Sequence, residues 1–372
     1  MGDRLSKSNV LLLIKSLGRG GAEQLLVNAA PQLDRSRFDY EVAYLLPWKD
    51  ALAEELGESG LPVRCLGGGR GAGWIPRLRA MVRTRRIDLV HAHSPYAAIG
   101  ARLGLGRRVR HVYTEHNVWE RYHRATYWGN LLTFSRNDHV LAVSEHVRES
   151  IRYPAALRGR RMPPTETLYH GIDSRALDRW AATDGVREEL GVPRGAPMVV
   201  TVANFKAHKG HRYLLAAADR VRRSVPDVRF VLVGQGPTEA ETRRRARELN
   251  LDGAVIFAGF REDAPRISGA ADVFALSSVQ EGLSIAVIEA MAMGTPVVVT
   301  EAGGLPEVVE HRRQGLVVPP ADPERLAEGI IRLLGDGSLR ARFAEAARRR
   351  AARFDIRRAV RRVEEVYAEL LA

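Results

Sequence analysis

Residues 277–296 read SSVQEGLSIAVIEAMAMGTP and lie between two strand-like runs, Asp272-Val273-Phe274-Ala275-Leu276 ahead and Val297-Val298-Val299 behind. From Ser284 onward the stretch is apolar and rich in alanine, which favours a helix, and Gly294-Thr295-Pro296 stops it. The order is strand, loop, helix, strand, the repeating unit of a parallel sheet. Two carboxylates stand eight positions apart, Glu281 in the loop and Glu289 on the helix. A helix start presents unpaired N–H groups and a partial positive charge, which suit a phosphate. At a rise of about 1.5 Å per residue the two carboxylates are roughly 10 Å apart along the axis. That span lets one accept hydroxyls of a sugar on one side of a diphosphate while the other accepts those of a ribose on the far side. The residues have the shape of a site for a nucleotide-linked sugar.

Outward from this stretch the same alternation continues in both directions. Strands are expected at 9–15, 40–46, 63–66, 88–93, 111–116, 139–144 and 167–170, with amphipathic segments between them. A polar, irregular segment at 173–197 reads as a connection. The pattern then restarts, with strands at 198–203, 229–233, 255–258, 273–276, 297–300 and 315–318. This is an α/β chain with two doubly wound, Rossmann-like parallel-sheet domains, 1–175 and 176–355. A last amphipathic helix lies within 356–372, with Val360, Val363, Val366, Tyr367, Leu370 and Leu371 on one face. Open α/β sheets bind ligands at the carboxyl ends of their strands, and two such sheets facing across a cleft bring a donor and an acceptor together.

The frame EGLSIAVIEAMAMGTPVV, followed by GGLPEVVE, closely resembles the donor-site signature of the retaining glycosyltransferases of family 4, which have the GT-B architecture. The resemblance extends over nearly the whole chain. It implies transfer of a sugar from a nucleoside diphosphate sugar to an acceptor hydroxyl, with the leaving phosphate helping to take the acceptor proton. Glu289 is then expected to hold the ribose, Glu281 the transferred sugar and Lys209 the diphosphate. Gly282, Leu283 and Ser284 would offer backbone N–H groups to the donor. In proteins of this kind the final helix crosses back to the first domain.

Further residues follow from the same resemblance. Gly18-Arg19-Gly20-Gly21-Ala22-Glu23 comes after the first strand and opens a helix, placing Gly20 and Gly21 against donor or acceptor; the spacing of a dinucleotide-binding loop is absent. His116 ends a strand at the position where a family histidine touches the donor sugar, through Nε2 or the backbone. His93, with His91 beside it, stands behind His116. In Asn204-Phe205-Lys206-Ala207-His208-Lys209-Gly210 the lysine before the last glycine matches the family, whereas Asn204 occupies the place of its usual arginine. Lys206 is either a second cation on the diphosphate or a solvated lysine. Gly234 and Gly236 resemble the glycine turn lining the donor cleft, and Phe260 and Arg261 the segment packed on the base.

Composition bounds what surrounds this chemistry. The chain has 372 residues, 45% of them apolar, enough for two cores. Its one cysteine, Cys65, excludes an intramolecular disulfide, fits a reducing compartment and is expected to be buried. The apolar run at 10–14 is too short for a signal peptide or a membrane span. The expectation is a cytoplasmic protein that reaches the membrane face peripherally. The net charge of +13 is uneven, with 27 Lys and Arg against 17 Asp and Glu in residues 1–175. That excess fits anionic lipid, a polyprenyl-phosphate acceptor or nucleic acid, and equally the arginine habit of a GC-rich genome. Trp119-Glu120-Arg121-Tyr122-His123-Arg124 with Tyr127 and Trp128 reads as an acceptor or lipid contact, or as a helix burying its indoles.

No Asp-x-Asp triplet occurs, and neither a metal nor a cofactor is expected: helix dipole and lysine would take the metal's place on the diphosphate. The partners expected are a nucleotide-sugar donor and a sugar, glycolipid or polyprenyl-linked acceptor, in cell-envelope, polysaccharide or glycolipid synthesis, with no nucleic acid. Two rivals are a sugar-nucleotide epimerase of the same architecture, which would need no acceptor, and a non-catalytic module binding anions or membranes with steep salt dependence.

Overall fold

The computed structural model of the chain describes residues 7–67, 71–152 and 162–372. It divides into two compact units, Met1–His170 with Ile356–Ala372, and Gly171–Asp355.

The first unit holds a parallel sheet of seven strands among the described residues: β1 (Ser8–Ile14), β2 (Phe38–Tyr44), β3 (Val63–Cys65), β4 (Leu89–Ala92), β5 (Arg110–Glu115), β6 (His139–Ala142) and β7 (Thr165–Thr167). Their order is β3-β2-β1-β4-β5-β6-β7. The connecting helices are α1 (Gly21–Ala29), α2 (Ala53–Glu58), α3 (Trp74–Thr84), α4 (Pro95–Leu105), α5 (Arg124–Thr133) and α6 (Glu145–Ser150). β1 is apolar on both faces because helices cover both faces of a parallel sheet. Val10, Leu12 and Ile14 enter one apolar cluster and Leu11 and Leu13 another, the alternation a strand imposes.

The second unit is built alike, on six parallel strands: β8 (Met198–Val202), β9 (Arg229–Val233), β10 (Val255–Gly259), β11 (Val273–Leu276), β12 (Val297–Thr300) and β13 (Gly315–Val318). They lie in the order β10-β9-β8-β11-β12-β13, so the chain reverses direction across the sheet between β8 and β11. The helices after those two strands diverge, and the loops that lead to them meet at the carboxyl edge, where such sheets form a crevice. Its helices are α7 (Ser174–Leu177), α8 (Val186–Glu189), α9 (His211–Ser224), α10 (Glu239–Glu248), α11 (Ala264–Gly269), α12 (Ile285–Ala292), α13 (Leu305–Val308), α14 (Pro323–Gly335) and α15 (Gly337–Ala351).

The last helix, α16 (Ile356–Leu371), belongs to the first unit. Val366 and Tyr367 join the cluster of Val10, Leu12 and Tyr40. Glu364, buried, accepts from the Tyr40 hydroxyl and the Asp34 N–H, both at 2.7 Å.

Three expectations change. The segment at 173–197 is no loose connection: Val186, Val192 and Ala196 are buried in the second unit's core with Met198 and Val200. Arg187 fastens it by donating to the carbonyls of Ala196 and Ala270 and to Asp272. The few apolar residues there follow no helical or strand period, so nothing in their spacing announced the burial. β7 ends at Thr167 rather than continuing to 170. Cys65 is exposed, because β3 is the edge strand of its sheet.

Candidate functional site

The crevice of the second unit brings together two loops that the sequence separates by some seventy residues. Gly210, at the start of α9, has φ +69°, and a Cβ there would lie 2.1 Å from the Ser277 carbonyl oxygen. Only glycine lets the loop after β8 press onto the loop after β11. The Ser277 hydroxyl donates to the Gly210 carbonyl at 3.0 Å, and the Val279 N–H to the His208 carbonyl at 2.8 Å. This seam carries Lys209 to Glu281. The Lys209 ammonium donates to Glu281 Oε1 at 2.5 Å, and the Ser278 hydroxyl donates to the same oxygen at 2.6 Å. Glu281 is only 7% exposed, so the carboxylate is held in place by a cation and a hydroxyl in a largely dry setting. From behind, Gly303 (φ +58°) closes on it: a Cβ there would fall 1.8 Å from the Glu281 carbonyl oxygen.

Past Glu281, Ser284 begins α12 and is itself buried, yet its hydroxyl does not cap the helix. Gly282 and Leu283 keep partial exposure on the loop between. The first-turn N–H groups of α12 are left to other partners. Val287, Ile288, Ala290 and Met291 bury the helix face, with Glu289 beside them only half-buried. Desolvation by these neighbours pushes its carboxyl up to about 7.

Two more loops are laced to the same edge. The extended turn after β9 has glycines at 234 and 236, where Cβ atoms would lie 2.2 Å from the Ala203 oxygen and 2.4 Å from the Phe205 oxygen. The Phe205 N–H donates to the Gln235 carbonyl, and the Gly234 N–H to that of Gly259. Phe260, next in line, keeps 37% of its surface exposed. Arg261 is engaged by Asp263 at 2.7 and 2.8 Å and by Glu189 at 2.6 Å, a structural clasp. Asn204 is half-buried between β8 and Phe205. Lys206 is exposed, with no carboxylate at ion-pair distance among the described residues; it lines a cavity between α9 and α10.

In the first unit Gly20 caps α1 with an extended backbone, and a Cβ there would meet the Glu23 carboxylate at 2.3 Å. Gly21 has open space around it. His116 follows β5 and stands in a column of imidazoles. Its ring is stacked on His170 at 5.6 Å and lies 5.8 Å from His93, which is 4.1 Å from His91. His91 reaches the Tyr367 hydroxyl through Nδ1 and Thr114 through Nε2. The Nε2 atoms of His93, His116 and His170 are buried without a hydrogen bond. Burial holds all four rings neutral, with His170 pushed down to about 4 and the others well below their ordinary value. Among the described residues no three His, Cys, Asp or Glu are grouped so as to hold a metal ion.

The aromatic segment after His116 divides its roles. Trp119 is buried at 1% exposure, while Trp128 on α5 is 50% exposed. Sequence reasoning missed what orders this segment, the buried Glu115. It accepts from the Tyr113 hydroxyl and Trp119 Nε1 at 2.9 Å, from the Asn117 N–H at 3.3 Å and from the Tyr122 hydroxyl. Burial still pushes its carboxyl up to about 7. Its strand, Arg110-His111-Val112-Tyr113-Thr114-Glu115, is too polar at both ends to single out a buried carboxylate. Ser278 and His170 were missed too, and single serines and histidines in loops carry no signal.

Two family models match the chain: Glycosyltransferase Family 4 over residues 19–176 and Glycosyl transferases group 1 over residues 183–350. The chain is 25% identical to the N-acetyl-alpha-D-glucosaminyl L-malate synthase of Bacillus anthracis, over 79% of this chain and 78% of that protein. It is 30% identical to the alpha-D-kanosaminyltransferase of Streptomyces kanamyceticus, over 62% of this chain and 60% of that one. Among solved structures it is similar to Anabaena HepE in complex with UDP and glucose, at 25% identity and a TM-score of 0.83, covering 97% of this chain and all of that chain.

Proposed function

Since the chain belongs to glycosyltransferase family 4, with the two-sheet GT-B architecture of its structural neighbours, we propose that it moves a sugar from a nucleoside diphosphate sugar to an acceptor hydroxyl with retention at the anomeric carbon. The observation that carries this reading is the buried Glu281 carboxylate, gripped by Lys209 and Ser278 just ahead of the uncapped start of α12. In the transfer, the bond from the anomeric carbon to the β-phosphate oxygen breaks and the acceptor oxygen bonds to that carbon on the same face. The acceptor proton passes to the departing phosphate.

Negative charge grows on that phosphate as the bond breaks, and Lys209 with the first-turn N–H groups of α12 offsets it without a metal. Gly282, Leu283 and Ser284 offer N–H groups to the same oxygens. Glu281 accepts hydroxyls of the transferred sugar and Glu289 those of the ribose. In the first unit His116 and the Gly20-Gly21 turn are assigned to substrate contact by the family resemblance; with the His116 Nε2 buried, its contact falls to the rest of the ring and the backbone. Gly234, Gly236 and the exposed Phe260 line the path to the base, and Asn204 flanks the diphosphate. UDP is the nucleotide to try first, because HepE was solved with it.

The acceptor we propose is lipid-linked, used in building an envelope glycan, with the first unit resting on an anionic membrane. No helix among the described residues is long and apolar enough to cross a membrane. Instead Leu103 on α4 and Trp128 and Leu132 on α5 are exposed, near the exposed Arg107, Arg108, Arg124 and Arg136. The deciding experiment follows thermal stabilisation by UDP, GDP and ADP, then release of the nucleotide from the matching sugar donor, with EDTA present. Stabilisation by one nucleotide, with turnover lost in a Glu281→Ala protein that still folds, is the outcome expected. An unaffected Glu281→Ala enzyme would refute the reading.

A further inference from the structure

We propose that the second unit has another ligand site, separate from the Glu281 cluster, in the cavity between α9 and α10, and that it takes a small phosphate-bearing anion. The cavity measures about 520 Å³, ample for a small metabolite. α9 and α10 are the crossovers from β8 to β9 and from β9 to β10, so they cover the same face of the sheet side by side. Four basic side chains line the groove, Lys206, Arg212, Arg244 and Arg245, against two acidic ones, Glu241 and Glu248.

How those charges pair decides what they attract. Glu248 is shared by Arg244 at 3.5 Å and Arg245 at 3.1 Å, which leaves positive charge in excess. Neither Lys206 nor Arg212 has a carboxylate at ion-pair distance among the described residues. Arg212 is nevertheless oriented: its guanidinium lies over the Tyr213 ring at 4.6 Å and donates to that hydroxyl at 2.7 Å. An oriented guanidinium and an ammonium that line one groove can share a phosphate.

The wall of the cavity adds a fixed, uncharged ring. His211 is 4% exposed and stacked on Phe205 at 4.4 Å, and its Nδ1 is buried without any hydrogen bond. An orphaned buried nitrogen is costly and calls for a partner. Burial, with Lys209 close by, keeps this ring neutral, its pKa pushed down to about 4. With Nδ1 closed off from the cavity, the ring serves as a neutral wall fixed by its stacking on Phe205, and the charge that draws an anion comes from the four basic side chains. The site goes beyond the glycosyl-transfer reading, yet it adjoins it: Lys206 faces this cavity from the loop whose Lys209 grips Glu281.

The test is thermal unfolding of the full chain with UDP at saturation, titrated with inorganic phosphate or glucose 6-phosphate and compared with sodium chloride at equal ionic strength. A saturating rise in Tm of about 2–4 °C is expected for phosphate or its ester over the salt control. Arg212→Glu with Arg245→Glu removes that rise and keeps the response to UDP; both side chains are exposed, so folding is spared. The Lys209→Ala protein keeps the phosphate response without UDP, so failure of the donor assignment leaves this test standing. A response that only follows ionic strength, survives the double arginine change or vanishes with Lys209→Ala overturns the proposal.

Discussion

Glu289 shows how one side chain couples solvent to ligand. Its carboxyl, pushed up to about 7 by desolvation, is half protonated near neutrality. A protonated carboxyl accepts fewer hydrogen bonds from a ribose than the ionised form. Nucleotide affinity should therefore rise severalfold between pH 6 and pH 8 and level off above that. In Glu289→Gln the affinity should be lower and flat across the same range. Isothermal titration at several pH values checks both, and an unchanged pH dependence in the variant would remove Glu289 from the ribose. Glu289 and Glu281 were legible in the sequence because their spacing sits in a strand-loop-helix frame. Glu115 was not, since what distinguishes it is the four donors that converge from residues 113, 117, 119 and 122.

At the level of elements, the loops matter more than the helices they open. The strand and helix pattern was readable almost throughout, because buried parallel strands are short apolar runs with glycine and proline between them. The contacts between loops were not, because they depend on which strands lie side by side. Sequence places β8 and β11 three strands apart, and the sheet makes them neighbours. Gly303 tests this layer. Its positive φ and the Glu281 carbonyl behind it leave no place for a methyl group. Gly303→Ala should destabilise the second unit by about 2–4 kcal/mol, read as a lower urea midpoint. A midpoint within error of the parent would mean the loop yields freely and Glu281 is not clamped from behind.

For the whole molecule the two units should respond differently to acid. In the first unit His91, His93, His111, His116 and His170 all have folded pKa values below the ordinary 6.5. Below that pH the unfolded chain binds protons that the folded one refuses, so the stability these rings contribute is lost as pH falls from 6.5 towards about 4. Glu115 acts oppositely, since its raised carboxyl favours the folded state below 4.5 and ceases to as pH rises through about 7. Five rings outweigh one carboxyl. In the second unit the lowered His211 and the raised Glu289 set one group against one. Hydrogen exchange at pH 6.5 and 5.0 should show the first unit losing protection while the second changes little. Equal loss in both would mean the imidazole column is hydrated and titrates freely.

The placement of α16 bears on how the chain is made. Glu364 and Tyr367, which satisfy Tyr40, Asp34 and His91, leave the ribosome 276 to 330 residues after them. The second unit, contiguous in sequence, has all its parts first. A nascent chain stopped at residue 355 should yield a protease-resistant core from the second unit and a digestible remainder. Adding residues 356–372 in trans, as a synthetic peptide, should protect that remainder. On this account α16 works as a built-in latch, and a ribosome that stalls before it leaves half a catalyst.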